Sequence, residues 1–441
     1  MIKLNEHFDY KKLIKLTSPS IMMLIFTSIY VIVDGFFVSN FTGKVEFTAV
    51  NLIMPFLLIL GGFGFMFGTG ASALIGKLLG EKKDEEANST FSLVIYVSIG
   101  LGIFLTILGL IVLKPMAILL GAKGEVLEKC IEYGRIYLLG MTAFILQYEF
   151  QVLFATAERP KLGLFITLGA GFTNIILDAL FVAVFKWGLT GAAWASVLGM
   201  VVGGIIPLFY FVFPNKSLLR LGKTKMDMRS LGKICLNGSS ELLSSISSSV
   251  VNMLYNIQLL KYAGEDGVAS FGVMMYVSMI FVAIFLGYSV GVSPVISYNY
   301  GANNNKELKG LTIKSIVLIG IGSVLMLGAS QLLAMPLSKI FVGYDQNLCD
   351  MTTSGFRIFS FTFLCSGISI FGSAFFTALN NGIVSGILSF VRALVLQIIA
   401  ILILPRLWGL NGIWASTVFA ELLAVGLTAG FMIWGKKKYQ Y

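Results

Sequence analysis

Long apolar runs, separated by short polar turns, dominate this chain. Runs long enough to cross a bilayer, about 20 residues each, recur near 16–39, 47–76, 91–113, 132–156, 162–184, 189–213, 237–260, 268–297, 311–334, 354–378, 383–404 and 409–434. The pattern predicts an all-α membrane protein of twelve transmembrane helices. The start, MIKLNEHFDYKK, is charged and polar, so no cleavable signal peptide is expected there. Residues 214–233 are polar and basic and contain Pro214 and Gly222. They divide six spans from six: a first lobe over 1–213, a cytoplasmic linker over 214–233 and a second lobe over 234–441.

The two halves repeat one another. KWGLTGAAWAS at 186–196 matches RLWGLNGIWAS at 406–416, with Trp187 and Trp408 221 residues apart and Trp194 and Trp414 220 apart. IGKLLG at 75–80 faces ISYNYG at 296–301, and FATAERPKLG at 154–163 faces FFTALNNGIVSG at 375–386. KLTSPSI at 15–21 matches CLNGSSE at 235–241 more faintly. A repeat sustained over the chain indicates two fused copies of one unit. Six spans per copy give both copies the same orientation, so the lobes should be related by a pseudo-two-fold axis along the membrane normal.

Composition agrees with membrane insertion. Hydrophobic residues make up 57% and charged residues 12%, about half the charge of a soluble domain, and mean hydropathy is +0.88. The net charge of +10 is a matter of topology rather than nucleic-acid binding. Lys3, Lys11, Lys12 and Lys15 precede the first span; Lys216, Arg220, Lys223, Lys225, Arg229 and Lys233 crowd the linker; Lys436, Lys437 and Lys438 end the chain. With twelve spans these regions share one side, which the positive-inside rule makes cytoplasmic. Both termini are therefore expected inside the plasma membrane. Cys130, Cys235, Cys349 and Cys365 have neither metal-ligand nor disulfide spacing, and the single histidine, His7, is in the tail. There is no Ser/His/Asp set, zinc motif or phosphate-binding glycine loop, so the chain is not expected to be an enzyme or to hold a cofactor.

Chemistry must lie where ionisable groups enter spans, since each costs about 2.5–3.5 kcal/mol at a helix centre on insertion scales. Those groups are Asp34, Glu149, Asp178, Glu241, Arg392 and Glu421. Asn174 precedes Asp178 by four residues and shares its helix face; Ala192 and Ser196 share a face likewise. Depth counted from the outer ends puts Asp34, Asp178 and Ser196 at one level. Leu254 and Tyr255 stand one repeat on from Asp34, and Ile398 and Ile399 one repeat on from Asp178, so the acidic pair belongs to the first lobe alone. Ion or proton binding is the favoured role; bonding to backbone freed at a helix break is the alternative. Glu241, Arg392 and Glu421 are expected to form a paired polar network in the second lobe.

In order along the chain, LTSPSI and VDGFFV in the first span, the loop LLGEKKDEEANS, AERPKLG, NIILD and GLTGAAWAS resemble the multidrug and toxic compound extrusion family, in its DinF-like and MepA-like branches. The resemblance covers essentially the whole chain. It implies drug efflux driven by H⁺ or Na⁺, with no metal beyond a Na⁺ at the coupling site. Carried over residue by residue, the family's cation site falls on Asp34, Asn174, Asp178, the Ala192 carbonyl and Ser196. Gln151 stands where many relatives carry Asn or Glu in the same network, and Glu149, two residues away, either substitutes for it or faces elsewhere. Pro19 matches the proline near which the first span bends in some members.

The expected function is therefore a cation-coupled antiporter, acting as a monomer in the lipid bilayer on small organic cations or amphipathic substrates. The alternative is a lipid-linked precursor flippase of the same wider superfamily. A flippase should carry several basic residues in its cavity, whereas this chain offers chiefly Arg392.

Overall fold

A computed structural model describes residues 3–441, and among them every regular element is helical. In hydrocarbon each backbone N–H and C=O must be bonded within its own segment, which favours helices for apolar runs such as these. Twelve spans result. Spans 1 to 3 are Tyr10–Phe41, Lys44–Gly80 and Asp84–Leu119. Span 4 is a bent pair, Gly124–Leu139 and Met141–Thr156, angled at 58°. Span 5 is Pro160–Asp178, continued by a π-helical turn over Ala179–Val184, and span 6 is Gly188–Val212. The helical stretch Met228–Gly301 folds back at Gly264 and supplies spans 7 and 8. Span 9 is Asn305–Val342. Span 10 is a second bent pair, Gln346–Phe359 and Thr362–Ala378, angled at 46°. Span 11 begins with Gly382–Phe390 and a π turn, Val391–Val395; the stretch Leu396–Tyr439 then completes it and, past a break at Gly409, forms span 12.

Side-chain oxygens take the free N–H groups at several starts: Asp9 accepts from Lys12, Asn304 from Glu307, Asp345 from Leu348 and Asn381 from Val384. The repeat reaches the backbone as well. Positive φ occurs at Gly43 and Gly264, at Lys82 and Asn303, and at Gly188 and Gly409, each pair 221 apart. Gly188 and Gly409 open spans 6 and 12 by the same turn, a conformation that favours glycine.

Six spans form each lobe. The lobes meet closely in the half of the molecule that carries both termini. A Cβ on Gly238 of span 7 would run into the Met66 carbonyl oxygen of span 2, and a Cβ on Gly70 would run into that of Ile234. Nearer the end of span 2, Gly80 meets Tyr298 and Gly301 meets Lys77 in the same reciprocal way. Small residues permit this backbone contact between helices. The tail straps the same face: the Leu4 N–H donates to Glu158 of the first lobe at 2.7 Å, while the Phe8 N–H and His7 Nδ1 lie on Glu307 of the second at 2.9 and 2.7 Å. At the other end of the chain, Asn305 bonds Gln440. Both ends of the described chain are thus on one face, where the two lobes pack against each other.

Span 1 runs unbroken through Pro19. The proline removes the donor for the Lys15 carbonyl, and Ser18 Oγ approaches that carbonyl at 3.4 Å.

Candidate functional site

Span 1, broad and apolar, carries Asp34 near the end opposite the termini. Asp34 is buried, and Ser196 Oγ of span 6 donates to its Oδ1 at 3.4 Å. On span 5, Asn174 and Asp178 follow each other by one turn, both buried, and face Asp34. Both Asp178 oxygens and the Asn174 Oδ1 lack a hydrogen-bond partner. Asp178 is therefore not bonded to backbone, although the π turn begins at the next residue. Ala192 is fully buried one turn before Ser196 on span 6. Four side chains from three helices thus converge, two of them carboxyls.

The other sequence candidates lie elsewhere. Gln151 Nε2 donates to Thr27 Oγ1 at 3.4 Å, about two turns from Asp34 along span 1. The span 4 amide at the level of Asp34 is Gln147, whose Nε2 reaches Tyr30 Oη at 3.5 Å. Glu149 points away from both glutamines. It is fully buried, packs on Gly68 of span 2 and faces Ser98 of span 3, with neither oxygen bonded. Tyr133 of span 4 was not evident in the sequence. Its buried hydroxyl has no partner and faces Ser196. One among 16 tyrosines, it carries no distinguishing signal beyond sharing a helix face with Tyr137.

Asp34, Asn174 and Ser196 form part of the wall of a cavity of about 390 Å³. Tyr30, Tyr137, Tyr148 and Met54 add an aromatic and thioether surface from the first lobe, and Tyr276, Met279 and Phe341 close it from the second. Among the described residues, no Lys, Arg or His lines this cavity.

The second lobe has a polar cavity of its own, about 340 Å³. Arg392, on the π turn of span 11, donates through Nε to Glu421 Oε1 and Oε2 at 2.9 and 3.0 Å. Glu241 lines the same cavity without bonding Arg392. Tyr255, 221 residues beyond Asp34, shares a 2.8 Å hydrogen bond with Thr417 and lies 3.3 Å from Gln397 Oε1. It also faces Ser416, the repeat partner of Ser196. Where the first lobe places an acidic pair, the second places a neutral hydrogen-bonded set. Arg392→Met should leave Glu421 buried and unpaired, at a cost of about 3–5 kcal/mol. Thermal unfolding in detergent should show that loss, and the double variant Arg392→Met/Glu421→Leu should recover most of it. Equal stability of the single variant and wild type would show that the pair contributes nothing.

The class of protein follows from twelve spans in two repeated lobes with acidic groups on an internal cavity: a membrane transporter. The MatE family model matches the chain twice, over residues 19–180 and 242–403, and the chain belongs to that family. The multidrug export protein MepA of Staphylococcus aureus (strain NCTC 8325 / PS 47) is 26% identical over 417 residues, covering 94% of this chain and 91% of that protein. MepA of Staphylococcus haemolyticus (strain JCSC1435) is 24% identical over 429 residues, with 96% and 93% covered. In fold, the chain is similar to a MATE solved in complex with MaL6, with a TM-score of 0.93, 23% identity and coverage of 99% of this chain and 97% of that one.

Proposed function

We propose that this protein exports amphipathic, mostly cationic, small molecules, driven by inward movement of H⁺ or Na⁺ through the Asp34–Asp178 site. One observation carries the reading: two facing carboxyls, with no basic side chain beside them among the described residues, on the edge of an aromatic cavity. An organic cation fits such a wall by stacking and cation–π contact, and Met54 and Met279 adapt to varied shapes. A proton or Na⁺ neutralises the same carboxyls. Asn174, Ser196 and the Ala192 carbonyl would complete an oxygen shell for Na⁺. Drug and coupling ion then exclude one another, which is the requirement for antiport. Export by the S. aureus and S. haemolyticus MepA proteins supports the same assignment.

The positive-inside rule assigns the terminus face, where the lobes pack together, to the cytoplasm, which leaves the Asp34 cavity on the outward side. In this reading the protein works as a monomer in the plasma membrane. Among the described residues, the pairing of Arg392 with Glu421 leaves no unpaired cation at the second cavity for a pyrophosphate, which favours drug export over lipid-precursor flipping.

The test is transport of a planar fluorescent cation in proteoliposomes, with Na⁺ and pH gradients imposed separately. One of the two gradients should drive uptake or release well beyond the ungradiented rate. If neither does, the protein is not a cation-coupled antiporter.

A further inference from the structure

On the terminus face, a cavity of about 1140 Å³ lies between the start of span 1, the turn between spans 4 and 5, and the end of span 6. It is separate from the Asp34 cavity. Its apolar wall includes Phe165, Ile206, Phe209 and Phe213, each at least 49% exposed on the outer surface of a membrane-spanning bundle. The cavity therefore opens sideways into the bilayer at headgroup depth. Its rim is basic. Lys15, Lys161 and Lys216 line it with no carboxylate in ion-pair contact among the described residues. The two acids at the rim are already engaged: Glu6 by Lys12 at 3.1 Å and Glu158 by the Leu4 N–H at 2.7 Å. Burial pushes the Glu158 carboxyl up, against the pull of the Leu4 N–H.

We propose that this cavity binds an anionic phospholipid of the adjacent leaflet, its phosphate on Lys15, Lys161 and Lys216 and an acyl chain along Phe165, Phe209 and Phe213. The two surfaces select for both features at once. A zwitterionic lipid brings its own cation to a basic rim. A cationic drug is repelled, so the cavity is not an entry path for the exported molecule. A free phosphate gains nothing from the apolar wall. The site also includes Pro19 and Leu16. A bound lipid would thus rest against span 1 where its hydrogen bonding is already interrupted, and would favour the unbroken helix seen here.

The test is native mass spectrometry of the full chain released from mixed phosphatidylglycerol and phosphatidylcholine nanodiscs. Wild type should retain phosphatidylglycerol in preference to phosphatidylcholine. Each lysine near a membrane surface contributes about fivefold in affinity, so Lys15→Gln/Lys161→Gln/Lys216→Gln together should weaken retention roughly a hundredfold. Neutralising Lys436, Lys437 and Lys438, which lie on the same face outside the cavity, should leave retention unchanged. Glycerol phosphate, with a phosphate but no acyl chain, should not displace the lipid. Equal retention of the two lipids, retention unaffected by the triple variant, loss on neutralising the C-terminal lysines, or displacement by glycerol phosphate would each overturn the assignment. These readouts do not depend on transport, so they stand or fall independently of the coupling site.

Discussion

Asp34→Asn and Asp178→Asn are each expected to yield a folded, inserted protein that has lost gradient-driven transport. Asparagine keeps the shape of the side chain and removes the charge. Ser196 can still bond an amide oxygen at position 34, so the local packing survives. A carboxyl without a cationic partner in a buried site is costly, and its removal should leave thermal stability in detergent equal to wild type or higher. Coupling is another matter. The amide binds neither a proton nor a metal ion with comparable affinity, so occupation of the site can no longer be exchanged for drug. Transport of the fluorescent cation should fall to the level of protein-free liposomes under either gradient. Glu149→Gln is the informative companion. That carboxyl faces Ser98, away from the cavity, and its variant should keep gradient-driven transport. Full transport in both aspartate variants would move the coupling site elsewhere, with Glu241 as the next acid to test because it lines the other cavity.

Much of this arrangement was legible in the sequence because helical spacing and depth are simple geometry. Asn174 and Asp178 had to share a face, and counting from the outer ends put Asp34 and Ser196 at their level; the structure places these four side chains together. The span positions were legible for a related reason, since only hydrocarbon demands such runs. Helices nevertheless extend past the apolar windows: span 2 runs over Lys44–Gly80 rather than 47–76. Hydropathy marks the lipid-facing core, while capping and backbone bonding carry a helix on into water. Spans 4 and 10 show the larger departure. Their first halves, Gly124–Leu139 and Gln346–Phe359, open on charged and polar residues ahead of the apolar runs at 132–156 and 354–378, and each meets its second half at a bend. Nothing in residue type distinguishes such a bent span from a straight one that starts later.

Orientation of side chains around span 4 was the least legible feature. Gln147, Glu149 and Gln151 are close in sequence, but about 200° separates residues two apart on a helix. Only packing decides which of them faces span 1. Gln147 and Gln151 do, at different depths, and Glu149 turns toward spans 2 and 3. The resemblance placed Gln151 in the coupling network, whereas the structure gives the cavity position to Gln147. Tyr255, too, could be located as the repeat partner of Asp34, but its bonding to Thr417 and Gln397 depends on the side-chain geometry of three helices.

Gly238→Leu is expected to trap the transporter with its terminus face open. Span 2 crosses span 7 through two reciprocal contacts, Gly238 on the Met66 carbonyl and Gly70 on that of Ile234. Each pair is four residues apart on its own helix, so the two backbones touch over a full turn with no side chain between them. A leucine at 238 cannot be absorbed by rotamer change, because the obstacle is a backbone carbonyl that moves only with its helix. The contact lies between the lobes rather than inside either one, so each lobe should still fold and insert. What is lost is the seal. Spin labels on the two lobes near the terminus face should report a longer distance than in wild type, and transport should stop while binding of the cation persists. Gly272→Ala is the matched control, since a Cβ there meets nothing within 4 Å; that variant should transport normally. Wild-type distances and transport in Gly238→Leu would show that this crossing is not the inner gate, and that the tail strap through Glu158 and Glu307 holds the face closed in its place.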